Sequence, residues 1–126
     1  MIVRDLQGHV RVVRAVNLYA HHHPPDAHRA FALDASELLA VWMRGESVEA
    51  FFHSHPDATD TLSAADIAGA LLPSMPGSAP QLAYPGVAQI VIAVREGLAT
   101  HASVFELSEG ARSFERVARI VYDHRG

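Results

Sequence analysis

The chain has 126 residues, of which 49% are hydrophobic, and a formal net charge of −4 at pH 7. This length and apolar content suffice for a substantial core, so we expect residues 1–126 to form a single domain. The ten Lys and Arg residues are scattered along the chain, which argues against a nucleic-acid partner. The absence of cysteine excludes disulfides, a thiol nucleophile and cysteine-ligated zinc sites such as those of the zinc deaminases.

Membrane insertion and secretion are not expected either. No apolar run approaches the roughly 18 residues that are needed to span a bilayer, and Met1 is not followed by a signal-peptide pattern. We therefore expect a cytoplasmic protein without a membrane partner. The composition does not predict the oligomeric state.

The N-terminal region is predicted to form a hairpin followed by a loop. Residues 2–4 and 10–16 are β-prone, and the turn sequence at residues 5–8 separates them, so we expect the two strands to pair. The polar, proline-containing tract at residues 20–28 predicts a loop. It includes the run His21-His22-His23, but adjacent histidines on a loop are more often solvated than bound to metal.

A helix is predicted to begin near Asp34. Residues 34–37 have the form of a capping box, with Asp34 at its start and Glu37 three residues later. Apolar side chains then recur at helical spacing, at Ala35, Leu38, Leu39 and Trp42. This spacing predicts a buried stripe in which Trp42 is a core anchor, and Gly45 is expected to end the helix.

Two histidines at the end of the next strand are the first candidates for a functional site. Residues 48–52 are apolar and β-prone, and side chains alternate along a strand, so His53 and His55 are expected on the same side. Imidazoles about 6–7 Å apart along a strand can converge on one zinc ion. Pro56 has no N–H to donate and is expected to end the strand.

A carboxylate follows at the start of a predicted helix. Residues 57–61 are polar and predict a turn into a helix that begins near Ser63, with Asp66 in its first turn. Asp66 could supply a third ligand, and three protein ligands with one open position are the pattern of a catalytic zinc. The same residues have a structural interpretation, in which Ser63 is the N-cap and Asp66 lies at the favourable end of the helix dipole.

The C-terminal half is predicted to be mostly strand. After a short helix at residues 63–72, residues 73–85 contain four prolines and predict a long loop, either a connector or a segment that contacts substrate. The apolar run at residues 89–94 predicts a strand buried on both faces. Residues 101–107 are expected to pair with that strand, and residues 114–122 to form a last strand.

The pattern H-S-H-P, six residues, then S-x-x-D resembles the motif of the JAMM (MPN-plus) zinc metallopeptidases, in their bacterial branch. The resemblance implies an α/β fold in which helices flank a mixed curved sheet, with a cytidine-deaminase-like architecture. It also implies that His53, His55 and Asp66 hold zinc and that the catalytic Ser63 stabilises the tetrahedral oxyanion. Family members hydrolyse peptide or isopeptide bonds, often after the C-terminal tail of ubiquitin or a ubiquitin-like sulfur carrier, so a protein or peptide substrate is expected.

One element of the family pattern is not found. JAMM enzymes carry a Glu, upstream of the first hairpin, that acts as the general base, and no Glu precedes Glu37 here. Glu49 shares the face of His53 but lies four strand residues away, about 13 Å. Either an N-terminal piece is missing or the base is absent. Two functions therefore stay open, an active zinc peptidase and a zinc-containing module that binds a peptide tail without cleaving it.

Overall fold

The computed structural model describes residues 1–14, 35–71, 76–77, 81–107 and 114–124, and all statements below concern these residues. They form six strands, β1 (Ile2–Arg4), β2 (Val10–Val12), β3 (Ser47–Pro56), β4 (Ala88–Arg95), β5 (Leu98–Leu107) and β6 (Phe114–Val121), and two helices, α1 (Ala35–Met43) and α2 (Ala64–Gly69). The strands form a mixed sheet in the order β2-β1-β3-β4-β5-β6. The predicted α/β class is confirmed. Among the described residues, no helix combines the length and the apolar character required to cross a lipid bilayer.

The chain divides into two compact units, residues 1–51 and residues 52–126. In the first unit, β1 pairs antiparallel with both β2 and β3. A turn joins β1 to β2, in which the Gly8 N–H donates to the Asp5 carbonyl at 3.0 Å. The predicted hairpin is confirmed, but its second strand ends at Val12. Residues 15–16 lie outside the described residues, as do Asp34 and residues 20–28, which include the three histidines and were predicted to form a loop.

Helix α1 ends at the predicted glycine. The Gly45 N–H donates to the Trp42 carbonyl at 2.9 Å, and the Glu46 N–H donates to the Val41 carbonyl at 3.2 Å. These two bonds define a Schellman motif, which requires a left-handed residue immediately after the helix. Gly45 has a φ of +73°, so it supplies that conformation without the cost of a Cβ.

The buried face of α1 differs from the predicted stripe. Leu38 and Val41 are buried, whereas Trp42 is 52% exposed and Leu39 is exposed as well. The prediction that Trp42 is a core anchor is therefore wrong. Successive helical residues are rotated by about 100°, so Trp42 lies at the edge of a face centred between Leu38 and Val41, and Leu39 lies beyond that edge.

The second unit contains an antiparallel meander of β4, β5 and β6. The predicted strands at residues 101–107 and 114–122 are confirmed. In β4, Gln89, Val91 and Ala93 are buried, while the alternate residues are only partly covered. This alternation corrects the prediction that β4 is buried on both faces. The predicted loop at residues 73–85 is described only in part. Leu71, which precedes it, and Leu82, which lies within it, form an isolated antiparallel bridge.

Candidate metal centre

Strand β3 presents the two predicted histidines on one side. It ends at Pro56, as the sequence predicts, and His53 and His55 lie two residues apart within it. Because side chains alternate along a strand, both rings project from the same side. Their Nε2 atoms lie 3.0 Å apart, and both side chains are largely buried.

The Asp66 carboxylate reaches both rings from the first turn of α2. Its Oδ1 atom lies 3.1 Å from His53 Nε2, and its Oδ2 atom lies 3.2 Å from His55 Nε2. Among the described residues, these three form a group of His and acidic side chains with candidate ligand atoms that converge on one point. The structure therefore brings together all three residues that the sequence nominates as metal ligands.

The spacing of these atoms suits a tetrahedral metal ion. Ligands about 2.0–2.1 Å from a tetrahedral zinc lie roughly 3.3 Å from one another. The two Nε2 atoms are 3.0 Å apart, and each lies at a similar distance from one of the two Asp66 oxygens. Two imidazole nitrogens and a carboxylate oxygen are also the donor types that zinc accepts. The residues fit zinc, and three protein ligands leave one position of a tetrahedron for water or substrate.

The second nitrogen of His55 fixes which atom is available for a metal. His55 Nδ1 lies 3.1 Å from the Thr59 carbonyl oxygen. A carbonyl can only accept, so Nδ1 donates its N–H in this contact, and the corresponding neutral tautomer has its lone pair on Nε2. This arrangement, with an outer hydrogen bond that orients a histidine, is the usual one around metal-ligating imidazoles.

The Asp66 carboxyl is held in its ionised form. Burial raises its pKa, but hydrogen bonds from the His53 ring and the Ser63 backbone N–H outweigh burial and lower the pKa to about 2. The carboxylate therefore carries a full negative charge at neutral pH. A negative charge beside two imidazole nitrogens attracts a divalent cation.

Ser63 and Asp66 also form the helix cap that the structural interpretation predicts. The Asp66 N–H donates to Ser63 Oγ at 3.1 Å, and the Ser63 N–H donates to Asp66 Oδ2 at 2.8 Å. Together these bonds form a capping box at the start of α2. The two interpretations of Asp66 are compatible, because the capping bond orients the carboxylate toward the histidines.

The three Glu residues that could act as a general base, Glu37, Glu46 and Glu49, lie in the first unit. Glu49 Oε1 accepts from Arg4 Nε at 2.9 Å, and Glu46 pairs with both Arg11 and Arg44. Glu37 lies in the first turn of α1, where the helix dipole favours a negative charge. None of the three belongs to the His53, His55 and Asp66 group, so the general base stays unassigned.

One buried carboxylate near this group was not predicted from the sequence. Asp60, in the connection between β3 and α2, is only 5% exposed. Its Oδ2 atom accepts from Ser103 Oγ at 2.6 Å and from Arg119 Nε at 2.9 Å. The local sequence did not indicate that Asp60 is buried, because both of its hydrogen-bond partners lie on strands that are distant in the sequence.

Comparisons of this chain with protein-family models, with curated proteins and with solved structures found no match.

Proposed function

We propose that this chain is a zinc-dependent peptidase or isopeptidase of the JAMM (MPN-plus) kind. The observation that carries the proposal is the convergence of three side chains. His53 Nε2 and His55 Nε2 lie 3.0 Å apart, and each lies 3.1–3.2 Å from one of the two Asp66 oxygens. The mixed sheet and the β3–α2 connection are consistent with a JAMM/MPN-like architecture. A cytoplasmic location belongs to the same proposal.

The residues have distinct roles in this proposal. His53 and His55 would bind zinc through Nε2, and Asp66 would bind it through its carboxylate. Zinc would thereby replace the hydrogen bond that the His53 ring donates to Asp66. Zinc held by these residues would polarise a scissile carbonyl and would allow water to act as a nucleophile near neutral pH. Ser63 Oγ accepts the Asp66 N–H, which leaves the hydroxyl proton available to donate to an oxyanion.

The proposed substrate is an amide bond in a protein or peptide. By resemblance to the family, the bond would follow the C-terminal tail of a ubiquitin-like or sulfur-carrier protein. The second candidate is a zinc-containing module that binds such a tail without cleavage. It is favoured by the composition of the metal group, which contains no Glu among the described residues.

Metal content tests the ligand set. We expect about one zinc per chain in protein purified without chelator, because three converging ligands are sufficient for tight binding. Elemental analysis should show that a His53→Ala, His55→Ala double variant loses the metal. His124→Ala is the matched control, because the His124 ring stacks on Tyr122 and is not one of the proposed ligands. Equal zinc in the parent and the double variant would contradict the proposed site.

An activity assay separates the two candidate functions. The substrate would be a ubiquitin-like protein extended past its C-terminal Gly-Gly, alongside unrelated peptides. We expect cleavage by the zinc-loaded parent and none by the double histidine variant. Zinc-dependent binding of the tail without cleavage would favour the binding module instead.

A further inference from the structure

The connection between β3 and α2 is anchored by a buried carboxylate that does not belong to the metal group. Asp60 Oδ2 receives hydrogen bonds from Ser103 on β5 and from Arg119 on β6, and Arg116 Nη2 lies 3.9 Å from Oδ1. Ser103 is fully buried. A buried carboxylate is costly unless it is paired and hydrogen-bonded, so this arrangement holds the backbone at Asp60 in one place.

The residue before Asp60 contacts the metal group directly. The Thr59 carbonyl accepts from His55 Nδ1, and the Thr59 hydroxyl bonds to that of Thr61 at 2.7 Å. Thr59 and Asp60 are consecutive, so the position of the Thr59 carbonyl depends on where the Asp60 side chain is fixed. At the start of the same connection, the Asp57 N–H donates to the Val94 carbonyl on β4 at 2.7 Å.

We propose that Asp60 is a positioning residue for the metal centre. Its bonds to Ser103 and Arg119 hold the Thr59 carbonyl against His55 Nδ1, which keeps His55 Nε2 unprotonated and directed at Asp66 and His53. The inference rests on the proposed metal site but concerns residues outside the ligand set. Loss of an outer hydrogen-bond partner typically weakens metal affinity by about 10–100-fold.

The first test is zinc affinity, measured by competition with a chromogenic chelator. We expect Asp60→Ala to weaken zinc binding by about 10–100-fold, and Ser103→Ala, which removes one of the anchoring bonds, to weaken it less. Val41→Ala is the control, because Val41 is a fully buried core residue of α1 and lies outside the strands that anchor Asp60. A role of Asp60 in general stability predicts similar losses of zinc affinity in Val41→Ala and Asp60→Ala. Affinity equal to that of the parent in the Asp60 variants would overturn the inference.

The second test uses the metal-free protein. Ring ¹⁵N chemical shifts of His55 distinguish a proton on Nδ1 from one on Nε2. We expect the Nδ1–H form in the parent and a population of the Nε2–H form in Asp60→Ala, and unchanged ring shifts in that variant would overturn the inference. If Asp60→Ala does not fold, Asp60→Asn and Ser103→Ala replace it in both tests. A parent that binds no zinc would contradict the proposed function, whereas the ring shifts would still test the anchor.

Discussion

Ser63 combines a structural and a proposed chemical role in one hydroxyl. Its oxygen accepts the Asp66 N–H within the capping box, and in the proposed chemistry its proton would stabilise developing negative charge. The capping role requires a residue that is tolerated at an N-cap, whereas the proposed chemical role requires a hydroxyl group. Glycine is tolerated at an N-cap at a cost of only a few tenths of a kcal/mol, but it has no hydroxyl.

We therefore expect Ser63→Gly to separate the roles. Its free energy of unfolding and zinc content should stay close to those of the parent, while kcat falls on the order of 10²–10³-fold, as for the loss of an oxyanion donor. Chemical denaturation, elemental analysis and steady-state kinetics measure the three quantities. Ser63→Thr keeps both the acceptor and the donor and is the control. Undiminished kcat in Ser63→Gly would leave Ser63 with the capping role alone.

The low pKa of Asp66 has a consequence for acid stability. The carboxyl has a pKa of about 2 in the folded protein and 3.8 as its ordinary value. A depressed pKa stabilises the fold above the ordinary value, and the stabilisation is lost as the pH falls from about 4 to 2. For this shift it amounts to about 2 kcal/mol.

Denaturation of the metal-free protein between pH 7 and pH 2 measures this loss. We expect the parent to be more stable than Asp66→Asn at pH 7, with the difference shrinking as the pH falls through 4 toward 2. Asp57→Asn is the control, because Asp57 is exposed and asparagine tolerates its positive φ. A difference between the parent and Asp66→Asn that does not change with pH would show that this carboxyl does not have a depressed pKa.

At the scale of secondary-structure elements, the ends of the two helices depend on different residue types. Helix α2 begins with a capping box of side chains, whereas α1 ends with a backbone motif that requires a left-handed residue. A Cβ at Gly45 would meet Leu6 Cδ2 at an ordinary 3.5 Å, so the conformation rather than space makes glycine necessary there. Gly69, the last residue of α2, has open space around it and no positive φ.

Alanine substitutions at these two glycines should therefore have opposite effects. Gly45→Ala should lower the free energy of unfolding by about 1–2 kcal/mol, the cost of a left-handed residue that carries a Cβ. Gly69→Ala should raise it by roughly 0.5–1 kcal/mol, because alanine has the higher helix propensity. Urea denaturation of the two variants is a matched comparison. Effects of the same sign would show that one of these helix ends has been assigned incorrectly.

At the scale of the whole molecule, metal binding should be linked to stability. Zinc that binds only the folded chain stabilises it by about 2.7 kcal/mol at a free concentration of 100 Kd. For a chain of this size, that shifts Tm upward by on the order of 10 °C.

Thermal unfolding with zinc and with chelator measures this linkage. We expect chelator to lower Tm of the parent and to have little effect on Asp66→Ala, which lacks a proposed ligand. Magnesium, which prefers oxygen ligands, is the control ion and should give no comparable shift. If chelator lowers Tm of the parent and of Asp66→Ala equally, Asp66 acts only at the start of α2.

The sequence predicted the parts of the fold and of the candidate site that depend on neighbouring residues. The His pair on β3, the cap of α2 and the glycine that ends α1 all follow from local spacing. Contacts between residues distant in the chain were not predictable in this way. Asp60 bonds to Ser103 and Arg119, which are 43 and 59 residues away in the sequence. The polar turn around Asp60 therefore did not predict that its carboxylate is buried and paired.

Errors in predicted burial have a similar origin. The spacing of apolar residues in α1 was compatible with more than one buried face, and tertiary packing selected the face of Leu38 and Val41. In β4, the apolar run suggested two covered faces, whereas the fold buries one of them fully.

The alternation of β3 makes the candidate metal site sensitive to the number of residues that precede it. Both histidines belong to one strand and project from one side, so a one-residue deletion in β3 before His53 would turn both rings to the opposite side together. The site could not lose one imidazole and keep the other by such a shift. Single-residue insertions and deletions in this strand would be far more damaging to metal binding than conservative substitutions at the same positions, and natural length variation should be confined to the connections outside it.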